Sequence, residues 1–201
     1  MLSLTAYHGS NSRFNKFEVS KARVANDLYG GGIAYFTDTL DVAKSYAKNM
    51  YRRNGGEKVV YEVKLFFNNV FDVDKIYTGN ILVRMIGSNV EQFARSAGLL
   101  TFGTDRLAVL SKLRSGNIEL TGEQIFKGMS NGGLRSNQAR DTLIEMGFDG
   151  LRYNGGIVLG GRPHSVYLAY TDGKINILKR YIISDTPVES SETNDVYHFI
   201  H

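Results

Sequence analysis

The chain has no cysteine, which excludes a disulfide framework, a thiolate metal site and a cysteine nucleophile together. Histidine is scarce too: there are four in 201 residues, none at a metal-ligand spacing, so no structural zinc and no other metal is expected. Only two prolines and no low-complexity run argue against a disordered or linker-dominated chain. No stretch reaches the roughly 18 consecutive apolar residues of a membrane span. The opening MLSLTAYHGS has neither the basic leader nor the apolar run of a secretion signal. A cytoplasmic protein without membrane contact is therefore expected. No G-x-G-x-x-G leads a strand into a helix and no Walker lysine follows the glycines, which disfavours Rossmann and P-loop nucleotide sites.

What is present is an ordinary globular balance, 42% hydrophobic and 22% charged, in 22.4 kDa. That size favours a single domain with elaborations, taken as Met1 to Ile183. A net charge of +4 and a pI near 9.2 suit an anionic ligand without selecting one. Nucleic-acid binding would rest on that charge alone, because no basic stripe interleaved with aromatics is found. Ser184 to His201 carries four acids and no lysine or arginine, and reads as an appended tail docking through Tyr197 and Phe199.

Hydrophobic periodicity gives an α+β order of elements. Leu2 to Tyr7 reads as a strand entering a turn at His8-Gly9-Ser10, and Ile33 to Thr37 as a second strand opened by Gly30-Gly31-Gly32. Asp38 or Thr39 can cap a helix from Leu40 to about Arg52, with Leu40, Ala43, Ala47 and Met50 on one face and Tyr46 at its edge. Lys58 to Phe66 reads as a long strand. A helical insertion of about Gly79 to Met146 follows, with helices at Ile81 to Ala97, Asp105 to Leu113, Thr121 to Lys127 and Ser136 to Met146. Thr121 with Gln124 forms a capping-box start. Strands return at Gly150 to Tyr153, His164 to Tyr170 and Lys174 to Ile183, with Thr171-Asp172-Gly173 as a hairpin turn.

Three segments carry candidate chemistry. Tyr7-His8-Gly9-Ser10 sets a histidine at a strand end beside a glycine whose bare backbone allows close approach of a flat ligand. Gly30-Gly31-Gly32-Ile33-Ala34-Tyr35-Phe36-Thr37-Asp38 is a glycine-rich turn leading a hydrophobic strand, and Asp41 to Tyr46, in an alanine-rich helix, places a second tyrosine beyond it. Taken singly, each suits a core residue as well as a ligand contact. Taken in order, with the late run Leu143-Ile144-Glu145-Met146-Gly147-Phe148-Asp149-Gly150-Leu151-Arg152-Tyr153-Asn154, they resemble the His–Tyr–Glu class of ADP-ribosyltransferases. That class includes diphtheria-type toxins and poly(ADP-ribose) polymerases, and the nearest look-alikes are transferase domains of phage and mobile-element polyproteins, which implies the cytoplasm of a host cell or, for a phage gene, a virion. The resemblance covers Ala6 to Ala47 and Leu143 to Ile175, not the helical insertion.

The resemblance implies a split β-sheet fold holding NAD+ as co-substrate, with mono-ADP-ribosyl transfer to a macromolecular acceptor, most readily a protein. It implies that His8 bonds a ribose hydroxyl, the Gly9 backbone the carboxamide, and that Tyr35 and Tyr46 flank the nicotinamide ring, with Ser10 in reach. Lys21 and Arg23 fall where the donor loop would lie, and Arg162 in the acceptor-facing loop, beside the glycine-rich run Gly155 to Gly161. The sequence departs from the pattern twice. Ala43 stands where polymerase-like members carry a serine, and the late strand has no glutamate, the expected place being near Val166. His164 and Ser165 are the polar substitutes there, so His8, Tyr35 and His164 are the catalytic candidates. Glu119, Glu123 and Asp172 are the nearest acids in sequence. The missing carboxylate leaves two alternatives open: an NAD-binding module without turnover, or a phage structural or interaction component.

Overall fold

The computed structural model describes residues 1–19, 29–30, 34–156 and 163–184. Among them nine strands and six helices follow in the order β1 (Leu2–Ser10), β2 (Ala34–Thr37), α1 (Leu40–Asn54), β3 (Val59–Phe67), β4 (Val70–Asp72), β5 (Ile76–Tyr77), α2 (Asn80–Ile86), α3 (Val90–Ser96), α4 (Arg106–Ser115), β6 (Leu120–Thr121), α5 (Gly122–Met129), α6 (Ser136–Glu145), β7 (Gly150–Gly155), β8 (His164–Ala169) and β9 (Ile175–Ile182). Seven strands form one sheet in the order β4-β7-β8-β2-β1-β3-β9, antiparallel except for β4 beside β7. β5 and β6 form a separate two-stranded ribbon. The α+β plan expected from periodicity is present.

The sheet is continuous but unevenly stitched. β1 pairs with β3 from Leu2↔Phe67 through Ser10↔Val59, whereas β1 and β2 share the single register pair Tyr7↔Thr37. On the other side β2 pairs with β8 along its whole length, Ala34↔Ala169 to Thr37↔Val166. Two well-laddered halves therefore meet at a seam held by one pair, and beyond it β1 and β2 diverge.

Alternation along the strands separates the core by sheet face. Ala6, Phe36, Val59, Tyr61, Val63 and Leu65 face one side, where Phe17 and Val19 cover them. Tyr7 and Val60 face the other side and meet Ala43 and Ala47 of α1, while Val166, Leu168 and Leu151 meet the helices of the second half. Ala43 and Ala47 are fully buried because α1 sits directly on β1. A Cβ on Gly9 would lie 2.1 Å from the Ala43 carbonyl oxygen and 2.7 Å from the Ala47 nitrogen. Gly9 is thus a glycine because a helix crosses it.

Several expectations are corrected. His8-Gly9-Ser10 is strand, not turn, since Tyr61, Val60 and Val59 pair with it. The helix expected over Ile81 to Ala97 is two helices: Gly87 takes a left-handed φ of 65° and the Asn89 side chain caps α3 by accepting from the Gln92 N–H. The insertion is not purely helical, because Leu120 and Thr121 pair with Tyr77 and Ile76. Thr171-Asp172-Gly173 is no hairpin: both edges of β8 are taken by β7 and β2, so the chain passes through a 3-10 turn (Asp172–Lys174) to β9 at the far edge. The Thr121–Gln124 capping box stands as expected at the start of α5. The acidic tail after Ser184, with Lys21, Arg23 and Arg162, lies outside the described residues.

One carboxylate ties three connections together. Asp149 accepts from the N–H groups of Asn68 and Asn69 at 2.8 and 3.1 Å and pairs with Lys174 at 2.9 Å. Burial opposes its charge, but the lysine and the two amides outweigh burial and hold its pKa below the ordinary 3.8. Asp149→Asn is expected to lower unfolding free energy by about 1–3 kcal/mol at neutral pH. Since the folded-state pKa is the lower one, that contribution is complete above pH 3.8 and fades as pH falls through the folded value, so urea curves of the two proteins should converge in acid. Gly9→Ala, which forces α1 off the strand, is expected to cost about 1–3 kcal/mol in the same measurement, and an unchanged midpoint would contradict the direct packing.

Candidate functional site

Where the two half-sheets diverge, a cavity of about 380 Å³ opens between β1, β2, α1, β7 and β8. That volume lies within the range of small-molecule sites, about 300–1,000 Å³. Of the residues singled out in the sequence, His8, Gly9, Ser10, Tyr35 and Tyr46 all line it. Segments about 38 residues apart in sequence, from His8 to Tyr46, are brought together because β1 and β2 are neighbours and α1 folds back over both.

His8 is fixed most firmly. Its Nδ1 lies 2.7 Å from the Tyr35 carbonyl oxygen, across the seam. A carbonyl can only accept, so Nδ1 carries the proton and Nε2 is the acceptor in the neutral ring. The rings of Phe14, Phe17, Phe36 and Tyr61 surround the imidazole, with the Phe17 centroid 5.1 Å away. Burial lowers the His8 pKa below 6.5, and the bond to Tyr35 only partly offsets it. His8 is therefore a neutral imidazole at neutral pH.

Tyr35 and Tyr46 come from opposite walls. Tyr35 stands on β2 and packs against the core under the second half, while Tyr46 projects from α1 and is 56% exposed, at the lip. The Ser10 hydroxyl is engaged locally, accepting from the Ser12 N–H at 3.1 Å. His164 is not among the lining residues: its ring lies against Gly155, where a Cβ would meet Nε2 at 2.6 Å.

Val166, near which the resemblance places a glutamate, lines the cavity. No aspartate or glutamate among the described residues lines it. Glu123 pairs with Lys127 at 2.7 Å on α5, Asp172 accepts from the Val19 N–H at 2.6 Å, and Glu119 is exposed. Among the lining residues, burial and the nearby Glu62 carboxylate raise the pKa of Tyr7, keeping its phenol protonated. Glu62 itself is the acceptor of the Tyr181 hydroxyl.

Besides Phe36, whose ring packs against His8, four lining side chains went unassigned in the sequence: Tyr7, Thr37, Met50 and Tyr153. Three carried a usable signal. Tyr7 shares a face with Gly9, Thr37 with Tyr35, and Met50 follows Tyr46 by one helical turn. Tyr153 carried none, since its place depends on β7 lying two strands from β2. Asp38, just past β2, holds the start of β8 in place: its carboxylate accepts from the Ser165 N–H at 3.0 and 3.1 Å, and its own N–H donates to the Ser165 carbonyl at 3.2 Å. This clamp sets Val166 against Thr37.

The arrangement is a largely phenolic box with one neutral imidazole acceptor and no ionic side chain among its described lining. It favours a flat ligand, particularly an electron-poor or cationic ring, over a strongly anionic group. No family model matches the chain, and no curated protein matches it. Among solved structures, the crystal structure of the M. tuberculosis MbcT–MbcA toxin–antitoxin complex is similar at a TM-score of 0.47 and 10% identity, over 91% of this chain and 85% of that one. A likeness of that degree says nothing about activity or partner.

Proposed function

We propose that this protein is a mono-ADP-ribosyltransferase that cleaves NAD+ and passes ADP-ribose to a macromolecular acceptor, a protein in the first instance. The observation that carries the reading is the convergence of His8, Gly9, Tyr35 and Tyr46 on one cavity. The pyridinium ring enters between the two phenols, each contact contributing about 0.5–2 kcal/mol. His8 Nε2 accepts from a hydroxyl of the attached ribose and fixes the sugar. Heterolysis of the C1′–N bond sends its electron pair to the ring nitrogen, so nicotinamide leaves neutral. The acceptor nucleophile then bonds to C1′ and gives its proton to solvent. Orientation supplies the rate advantage, because the sugar is held while its leaving group is stacked.

The described lining lacks a carboxylate to oppose the positive charge developing on the sugar. Losing one such group costs about 10²–10³ in rate. That supports single transfer rather than chain elongation. It also favours a second reading, in which the protein holds NAD+ without turning it over. His164, away from the lining, has no part in either reading.

Incubation with labelled NAD+ and cell lysate is expected to label protein bands with the wild type and none with His8→Ala. Tight NAD+ binding without labelling or nicotinamide release would leave the second reading standing, and no NAD+ binding at all would remove both. Tyr46→Ala, at an exposed position, is expected to weaken NAD+ binding about 2- to 30-fold in calorimetry while leaving the melting temperature unchanged. Because burial lowers the His8 pKa, its acceptor form persists below pH 6.5. NAD+ affinity should therefore stay level from pH 8 down to 6.5 and fall only in more acid buffer, whereas a fall beginning above pH 7 would contradict a neutral, buried His8.

A further inference from the structure

A second cavity, of about 370 Å³, lies among α2, α3, α5 and α6 and shares no lining residue with the first. It is built from polar stripes. Gln138 and Thr142 stand one turn apart on α6 and Arg135 immediately precedes that helix at its N-cap, so the start of α6 lines the concavity. Opposite stand Arg84, in the last turn of α2, and Gln92 of α3. Buried Met85 and Phe93 form the floor, and the Phe93 ring packs so closely on Gly128 that a Cβ there would lie 2.5 Å from it.

Asn131 joins the lining from the α5–α6 connection in a left-handed conformation, φ 53°. Its carboxamide oxygen accepts from Gln92 Nε2 at 2.5 Å and from the Ser96 hydroxyl at 3.0 Å. With the oxygen so engaged, the Asn131 NH2 remains as a donor of fixed position. No aspartate or glutamate lines the cavity, and neither Arg84 nor Arg135 has an ion-pair partner among the described residues. Both arginines are exposed at the rim, beside the carboxamides of Asn131 and Gln138, whereas the Thr142 hydroxyl donates to the Gln138 carbonyl at 3.0 Å and the Gln92 amide to Ser96 and Asn131.

We propose that this cavity is a binding site for a small phosphate monoester. Two monocations without an ion-pair partner among the described residues match a dianion, the state such a phosphate approaches at neutral pH. Guanidinium forks pair with phosphate oxygens two bonds at a time, and the carboxamides of Gln138 and Asn131 supply neutral donors for the oxygens that remain. A single carboxylate would leave one arginine uncompensated. The site is independent of the phenolic box and stands whether or not that box turns over NAD+.

The test is calorimetry with inorganic phosphate at pH 7.5 and low salt, with acetate as the carboxylate probe. Side-chain amide NMR shifts of Gln138 and Asn131 are followed in the same titration. The wild type is expected to bind phosphate saturably at one site, with both amides shifting. Arg84→Met and Arg135→Met should each weaken binding at least about tenfold, while Arg53→Met on α1 leaves it unchanged. The arginines are exposed, so the variants should melt with the wild type when phosphate is absent. The proposal is overturned if the wild type shows no saturable binding, if the amides do not shift, if acetate binds as tightly as phosphate, or if Arg53→Met weakens binding equally. The amide shifts in the wild type decide the matter even where a variant misfolds.

Discussion

The hydrogen bond from His8 Nδ1 to the Tyr35 carbonyl crosses the one place where the sheet is nearly undone. β1 and β2 share a single register pair, so a side chain takes up a backbone acceptor that a longer ladder would have used. This bond fixes the tautomer of His8, binds the two half-sheets together, and leaves the cavity between them open. A fully zipped β1–β2 ladder would gain backbone hydrogen bonds and lose the site. The aromatic cage of Phe14, Phe17, Phe36 and Tyr61 supports the bond by keeping the imidazole neutral and water away from its donor side.

Packing on either side of the seam follows from this division. On one half, α1 lies so close to β1 that only glycine fits at position 9 and only small residues at 43 and 47. That closeness sets Tyr46 and Met50 over the cavity mouth. On the other half, the helices from α2 to α6 form their own core with Phe71, Leu151 and Leu168, and β7 and β8 bring Tyr153 and Val166 to the opposite wall. Gly9 thus answers two demands at once: its bare backbone borders the cavity, and α1 would not tolerate a side chain there.

Much of this was legible from residue pattern. The face of α1, the strand at β3, the helix at α6 and the Thr121 capping box are local, and local physics decides them. The misreadings are tertiary. His8-Gly9-Ser10 has turn composition, yet β3 pairs with it residue for residue. Thr171-Asp172-Gly173 has hairpin composition, yet β8 had no free edge to receive a returning strand. The cavity was legible in its first wall, where glycine, histidine and tyrosine stand out, and illegible in its far wall. There Tyr153 looks like any strand tyrosine until β7 and β8 are laid beside β2. Val166, the valine near which the resemblance asks for an acid, lines the cavity.

A structure of the protein crystallised with NAD+ tests the central claim most directly. The expected result is a pyridinium ring between Tyr35 and Tyr46, with a ribose hydroxyl within about 3 Å of His8 Nε2. A dinucleotide seated elsewhere, or phenol rings closed on each other with NAD+ at saturating concentration, would contradict it.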